Sequence, residues 1–573
     1  MASCRHGLGG KIFSFASLAP AWLCLCVVLS ADSVAKSAEL SADSTFDLSS
    51  TDRDNAAKLS GAQSLDLQVG SAVRTVSAQQ TLTDAEHIAL NQILSTGQQS
   101  LQIGPLGNAV GGSFRVDKDI GASIAGLVIP QGVTAIHDFG SHADLNILGN
   151  LSNAGSLIAI SSNAAVSTAV ISAANIFNQP GGLLTSMPSV NAFAGSAAFS
   201  SPLNLTLVAV HDIVNHGIIS SSGNLTAIAG GSIINALPAG SSTAPLMQAV
   251  GNLNLQTANI VNQGVLSSLT ANINVSTILA SNLVLDNVGG TLQALNHAIN
   301  IGDAGLISNL DVLLRGGDFL ANELNLVSKC GEVNVAVGEL PATVNVTAAV
   351  AHVSASADVL RLGSIHLTGD PTFFNSLGDV LITGNLSFAG APLAIVAAGN
   401  IYALPGAQII STGSSTGDAG AITIIAGAQF SSSGAAAGIS DTTSELVITG
   451  PSASGGFIEL SALTTLNSLS TAGNGGNITM VAFPGTGLGS GSIMLSDTVS
   501  VTSGGAATGV SGNVTLIGGS PTGVLINIGA IDTAGGAGGG NISIATALPQ
   551  LPSGSPSIVN GALNSGTLVP GTP

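Results

Sequence analysis

Asn204-Leu205-Thr206-Leu207 alternates polar and apolar positions, and Asn224-Leu225-Thr226-Ala227 repeats the pattern twenty residues later. Asn252-Leu253-Asn254-Leu255 and Asn272-Ile273-Asn274-Val275 form a second pair with the same spacing. A period of two sends Leu205 and Leu207 to one side of a strand and Asn204 and Thr206 to the other. The alternation returns at Ile422 and Ile424, Ile478 and Met480, Val514 and Leu516, and Ile542 and Ile544. These runs are too short for helices. They are bounded by Gly and Asn, which tolerate the left-handed backbone of a sharp corner. Asn215-His216-Gly217 and Asn262-Gln263-Gly264 are matching turns, and Asn215 is echoed at Asn235.

A unit of about 20 residues cannot bury its own apolar face, so units must stack. The pattern predicts an all-β fold, a parallel β-helix in which equivalent Asn side chains hydrogen-bond up the columns as ladders. About 22 coils of about 20 residues would make a rod on the order of 100 Å long.

Taken in order, residues 1–35 read as a signal peptide. Arg5 and Lys11 precede an apolar stretch centred on Trp22 to Leu29, and small residues follow. An uncleaved anchor is the competing reading, but Pro20 and several serines interrupt the run. Residues 36–100 read as a flexible lead-in with one short N-terminal helix near 84–96. Thr83-Asp84-Ala85-Glu86 is its capping box and Gly97 its stop. Such a helix is expected near the open first coil, whose sheet edges need cover. The β-helix repeats are expected over 101–546, with looser patterning between Leu283 and Thr368. From Gly384 the unit changes to Gly-rich loops followed by a strand, as in Gly475-Gly476-Asn477-Ile478-Thr479. Residues 547–573 are rich in Pro, Ser and Gly and read as an unstructured tail.

Composition narrows the function. Apolar residues make up 45 % of the chain, charged residues 7 % and aromatics 3 %. Such a composition suits a narrow aliphatic coil core and not a disordered chain. The net charge is −19. From Ser141 onward the only basic residues are Arg315, Lys329 and Arg361, so no basic stripe exists for nucleic acid or an anionic membrane surface. Cys4, Cys24 and Cys26 lie in the signal region, and Cys330, alone in the mature chain, reads as a buried core residue.

The Gly-Asn-Leu strand starts, the Asn-x-Gly turns and the Gly-Asn-Ile-Thr loop ends resemble the filamentous-haemagglutinin-like exoproteins of bacteria. The resemblance covers roughly 101–546. It implies a right-handed parallel β-helix, secretion, and in many members adhesion to cells or surfaces. The Asn-Pro-Asn motifs of that family's secretion domain are absent from the sequence.

Catalysis on a parallel β-helix would need converging carboxylates. The only Asp-x-Asp pairs, Asp52 with Asp54 and Asp117 with Asp119, precede the regular coils. His137 with His142 and His211 with His216 are five apart, on opposite faces of a continuous strand. The Gly-rich loops lack the repeated Asp of calcium-binding nonapeptides and the Gly-Lys-Ser/Thr ending of a phosphate loop. Asn-x-Ser/Thr at Asn204, Asn224, Asn477 and Asn513 follows from turn Asn preceding strand Thr. Trp22 and Tyr402 are the only residues of their kinds, leaving little material for stacked sugar platforms. No catalytic, cofactor-binding or metal residue is assigned, and no cofactor is expected. The expectation is a non-catalytic, exported surface or cell-attachment protein. Its expected partners are surface glycans, other cells or extracellular matrix, with no nucleic acid and no membrane span after signal cleavage. A polysaccharide lyase or hydrolase on the same fold is the alternative.

Overall fold

A computed structural model describes residues 126–546, apart from short segments of which 187–201, 303–310, 433–445 and 520–525 are the longest. It also gives the strand backbones at 63–69, 72–77, 100–105, 112–116, 558–559 and 563–564. The signal region, the Thr83–Glu86 capping box with its helix, Asp52, Asp54, Asp117, Asp119, His142 and Cys330 lie outside the described residues. Every regular element among the described residues is a strand, and the pairing is overwhelmingly parallel. The fold is a parallel β-helix. No helix among the described residues is long and apolar enough to cross a membrane. The chain divides into two compact units at Asn274 and Val275.

In the first unit each complete coil has three strands. Asn204–Ala209, Ile213–Asn215 and Ile218–Ser221 form one, and Leu225–Ala229, Ser232–Asn235 and Leu246–Ala249 the next. The echoes seen in the sequence are the in-register neighbours: Leu205 faces Leu225, Thr206 faces Thr226, and Asn215 faces Asn235. Leu205, Leu207, Ile213, Ile219, Leu225 and Ile233 are fully buried inside the coils. Coil length varies because loops are inserted at the corners. Asn224 lies 20 residues after Asn204, but Asn252 lies 28 after Asn224, the extra chain being the loop before Leu246.

Gln63–Val69 pairs antiparallel with both Ala72–Ser77 and Ser100–Pro105. The stretch expected to be a flexible lead-in thus carries a strand pair, and that pair occupies one edge of Ser100–Pro105. Edge pairing protects a strand from joining foreign chains, the task the sequence reading gave to the helix.

In the second unit the loosened pattern has a cause. Thr291–Ile301 and Asp318–Val327 are long strands that run through a corner, with a register shift between Ala294 and Ala298. Asn296 takes a positive φ of 65° there, so the corner is turned by a bulge within a continuous strand. The Gly-rich loops have a different logic. A Cβ on Gly476 would meet the Gly420 carbonyl at 2.1 Å, one on Gly512 the Gly476 carbonyl at 2.1 Å, and one on Gly540 the Gly512 carbonyl at 1.9 Å. Successive coils touch backbone to backbone in this column, and only glycine fits. A hairpin, Ala428–Ser432 with Leu446–Pro451, lays Phe430 and Ile448 over an apolar stripe of Phe374, Ala394, Val396 and Ile425. The strand series also continues past Thr546. Ile558–Val559 and Leu563–Asn564, in the tail expected to be unstructured, pair in parallel with residues 527–528 and 531–532.

Candidate functional site

The polar side chains divide into three roles. The first is internal. Asn153, Asn178, Asn215, Asn235 and Asn262 are buried at one corner of successive coils. Each of the first four donates its side-chain amide to the next one's Oδ1, at 2.7 to 2.8 Å. Amides deep in an apolar stack must be hydrogen-bonded to be tolerated, and the ladder satisfies them except for Asn153 Oδ1 at its first rung.

The second role is coil-to-coil capping. Asn204 Oδ1 accepts the Asn224 backbone N–H at 2.8 Å, Asn224 accepts that of Asn252 at 2.7 Å, and Asn252 that of Asn272 at 3.0 Å. Asn477 and Asn513 do the same for Asn513 and Asn541. The carboxylates occupy equivalent places. Asp212 accepts the Ser232 N–H at 2.7 Å, Asp379 the Asn400 N–H at 2.7 Å, and Asp418 the Asn474 N–H at 2.7 Å. Scattered acids are what this use requires, one per strand start. The Asn-x-Thr sequences owe their Asn to this bond, since Asn204, Asn224, Asn477 and Asn513 all make it.

The third role is outward. In the first unit Thr206 and Thr226 are register neighbours, Asn254 Nδ2 donates to Thr226 Oγ1 at 3.3 Å, and Asn274 Nδ2 donates to Asn254 Oδ1 at 2.8 Å. The result is a rank of small polar groups on a strand face.

The histidines do not converge. His137 is buried with its ring edge-on to Phe139, centroids 4.4 Å apart. His211 is exposed, and His216 Nδ1–H donates to the Ala236 carbonyl at 2.6 Å. Among the described residues no group of three His, Cys, Asp or Glu could hold a metal. One line of chemistry was not legible in the sequence. Thr372 Oγ1 and His352 Nδ1 are hydrogen-bonded at 2.6 Å, and His352 Nε2 lies 3.6 Å from Glu332 Oε1. Hydroxyl, imidazole and carboxylate stand in the order of a nucleophilic triad. Thr372 is 1 % exposed and His352 0 %, so no substrate reaches the hydroxyl, and the line reads as a buried polar seam between strands.

The accessible chemistry gathers on one face of the second unit. Arg361, Leu381, Tyr402 and Glu459 are consecutive register neighbours and form one outward column. Two residues back along the same strands lie Asp379, Asn400 and Phe457, outward by alternation with the buried Val380, Ile401 and Ile458. Asn400 Oδ1 accepts the Phe457 N–H at 3.0 Å, and Glu459 Oε1 accepts the Ser461 N–H at 3.0 Å. Leu404, two residues beyond Tyr402, is exposed. The Tyr402 phenol is held above the ordinary tyrosine range, first by desolvation and then by the Asp379 carboxylate, with Arg361 opposing. The single tyrosine of the chain therefore shares a surface with an arginine, two carboxylates and a phenylalanine. The signal for this was weak in the sequence, because Phe457 follows Asn400 by 57 residues. No protein family, curated protein or solved structure compared with the chain matches it.

Proposed function

We propose that this protein is a secreted or surface-exposed, non-catalytic attachment protein of the filamentous-haemagglutinin-like kind. The observation that carries the reading is the use of its carboxylates. Asp212, Asp379 and Asp418 each hold the backbone N–H of the next coil, where a general acid or base would face a substrate. The Thr206, Thr226, Asn254 and Asn274 rank supports it as well, since repeated small polar groups offer many weak contacts that gain strength together. The expected signal at 1–35 supplies the route out of the cell. The alternative, a polysaccharide lyase or hydrolase, draws on Asp379 and Glu459 flanking Tyr402.

The test pairs three measurements. An antibody against the protein, used on fractions of the native host, is expected to find it released or surface-bound. Nested deletion of whole coils is expected to reduce adhesion by degrees. Reducing-end release from acidic and neutral polysaccharides is expected to stay at background. Turnover of any glycan, abolished by one Asp or Glu substitution, overturns the reading in favour of the enzyme.

A further inference from the structure

We infer that the face carrying Tyr402 and Phe457 binds a neutral glycan, with the sugar ring laid on the aromatic side chains and its hydroxyls held by Arg361, Asp379 and Glu459. The inference deepens the attachment reading and rests on it for its biological sense, though not for its chemistry.

A sugar ring has apolar C–H faces and a rim of hydroxyls. It needs an aromatic or aliphatic platform beside groups that both donate and accept hydrogen bonds. Tyr402 and Leu381 are neighbours in the column, and Phe457 stands one coil further and two residues back. Neighbouring coils are about 4.8 Å apart, so the platform is of the size of one or two sugar rings. Arg361 offers donors only and Glu459 acceptors only, and they bracket the platform at the two ends of the column, while Asp379, two residues back, keeps Oδ1 on Asn400 and offers Oδ2. Glu459 is already oriented by the Ser461 N–H and hydroxyl.

The charge decides between glycan classes. Arg361 is the one base of this face, set against Asp379 and Glu459, in a chain of net charge −19. A polyuronate or sulfated chain would meet repulsion from both carboxylates and from the protein as a whole. A neutral ring meets none. A quaternary ammonium group would favour the carboxylates but meet Arg361, and a single tyrosine does not enclose it.

Tyr402 is the only tyrosine in the sequence, so the full chain made with fluorotyrosine carries one fluorine reporter, at the proposed site. Titration with neutral hexasaccharides of glucose, mannose and N-acetylglucosamine is expected to shift or broaden that signal for at least one of them, and a hexagalacturonate is expected to leave it unchanged. In calorimetry, Phe457→Ala and Tyr402→Ala should weaken binding by about tenfold or more, and Tyr402→Phe should retain it. These side chains point outward, so circular dichroism of the variants should match the parent. A fluorine signal unmoved by every neutral sugar overturns the inference, as does binding unaffected by Tyr402→Ala, or a response confined to hexagalacturonate. Cell adhesion of the same variants separates the two readings. Adhesion that survives loss of sugar binding leaves the attachment reading and removes this site. Sugar binding without adhesion does the reverse.

Discussion

Asn215 donates its side-chain amide to Oδ1 of Asn235 at 2.7 Å, and the two residues are 20 positions apart and both fully buried. The bond ties one coil to the next from inside the core, beside the backbone ladder that ties them from the rim. It is one rung of a run from Asn153 to Asn262.

Replacing Asn235 with Leu removes the acceptor of the Asn215 amide and the donor to Asn262. Asn215 keeps bonds to the Gly217 and Leu246 carbonyls, so the loss is partial. Asn235→Leu is expected to destabilise the protein by about 1–3 kcal/mol, read as a lower midpoint in urea unfolding. An unchanged midpoint would show that the ladder contributes shape and no stability.

The strand register predicts an asymmetry between adjacent residues. Leu207 is 0 % exposed and Thr206 is turned outward beside Thr226. Leu207→Asp places an unpaired carboxylate in an apolar stack and should cost several kcal/mol. Thr206→Asp should cost less than about 1 kcal/mol. Equal loss of thermal stability in the two variants would contradict the register.

Asp212 predicts how a capping acid differs from a catalytic one. Asp212→Asn keeps an oxygen for the Ser232 N–H and should change stability by less than about 0.5 kcal/mol. Asp212→Ala leaves that N–H without its side-chain acceptor and should cost about 1–2 kcal/mol. Chemical unfolding of both variants gives the comparison, and a larger loss for Asn than for Ala would refute the role.

Tyr402 predicts a titration. Burial raises its phenol, Asp379 raises it further, and Arg361 lowers it. Asp379→Asn should therefore move the tyrosinate absorbance change to lower pH, and Arg361→Gln should move it to higher pH. Because the folded-state value is raised, this group's contribution to stability is intact below the ordinary tyrosine range and is lost as pH climbs through it. Opposite movement in either variant would place the charges elsewhere.

What the sequence settled was local. The inward facing of Leu205, Leu207, Ile422 and Ile478 follows from a period of two, and that period needs no knowledge of neighbours. The Gly-Asn strand starts were readable for the same reason, although their purpose was not. Only the stacked coils show that Gly476 must admit the Gly420 carbonyl and that Asn477 must accept the Asn513 N–H.

What the tertiary structure decided was which residues became neighbours. The buried Asn rungs are separated by 25, 37, 20 and 27 residues, and only the third is close to the repeat visible in the sequence. Closing a longer loop costs little more than closing a short one, so each coil takes insertions of any size at its corners without disturbing the ladder. His352 stands 20 residues from both Glu332 and Thr372, at the visible period, but in the stretch whose loosened pattern gave no register. Corner insertion did hide the face where Tyr402 meets Glu459, 57 residues on. Sequence distance ceases to report spatial distance once every corner of a solenoid can hold a loop, and only the pairing of the strands restores it.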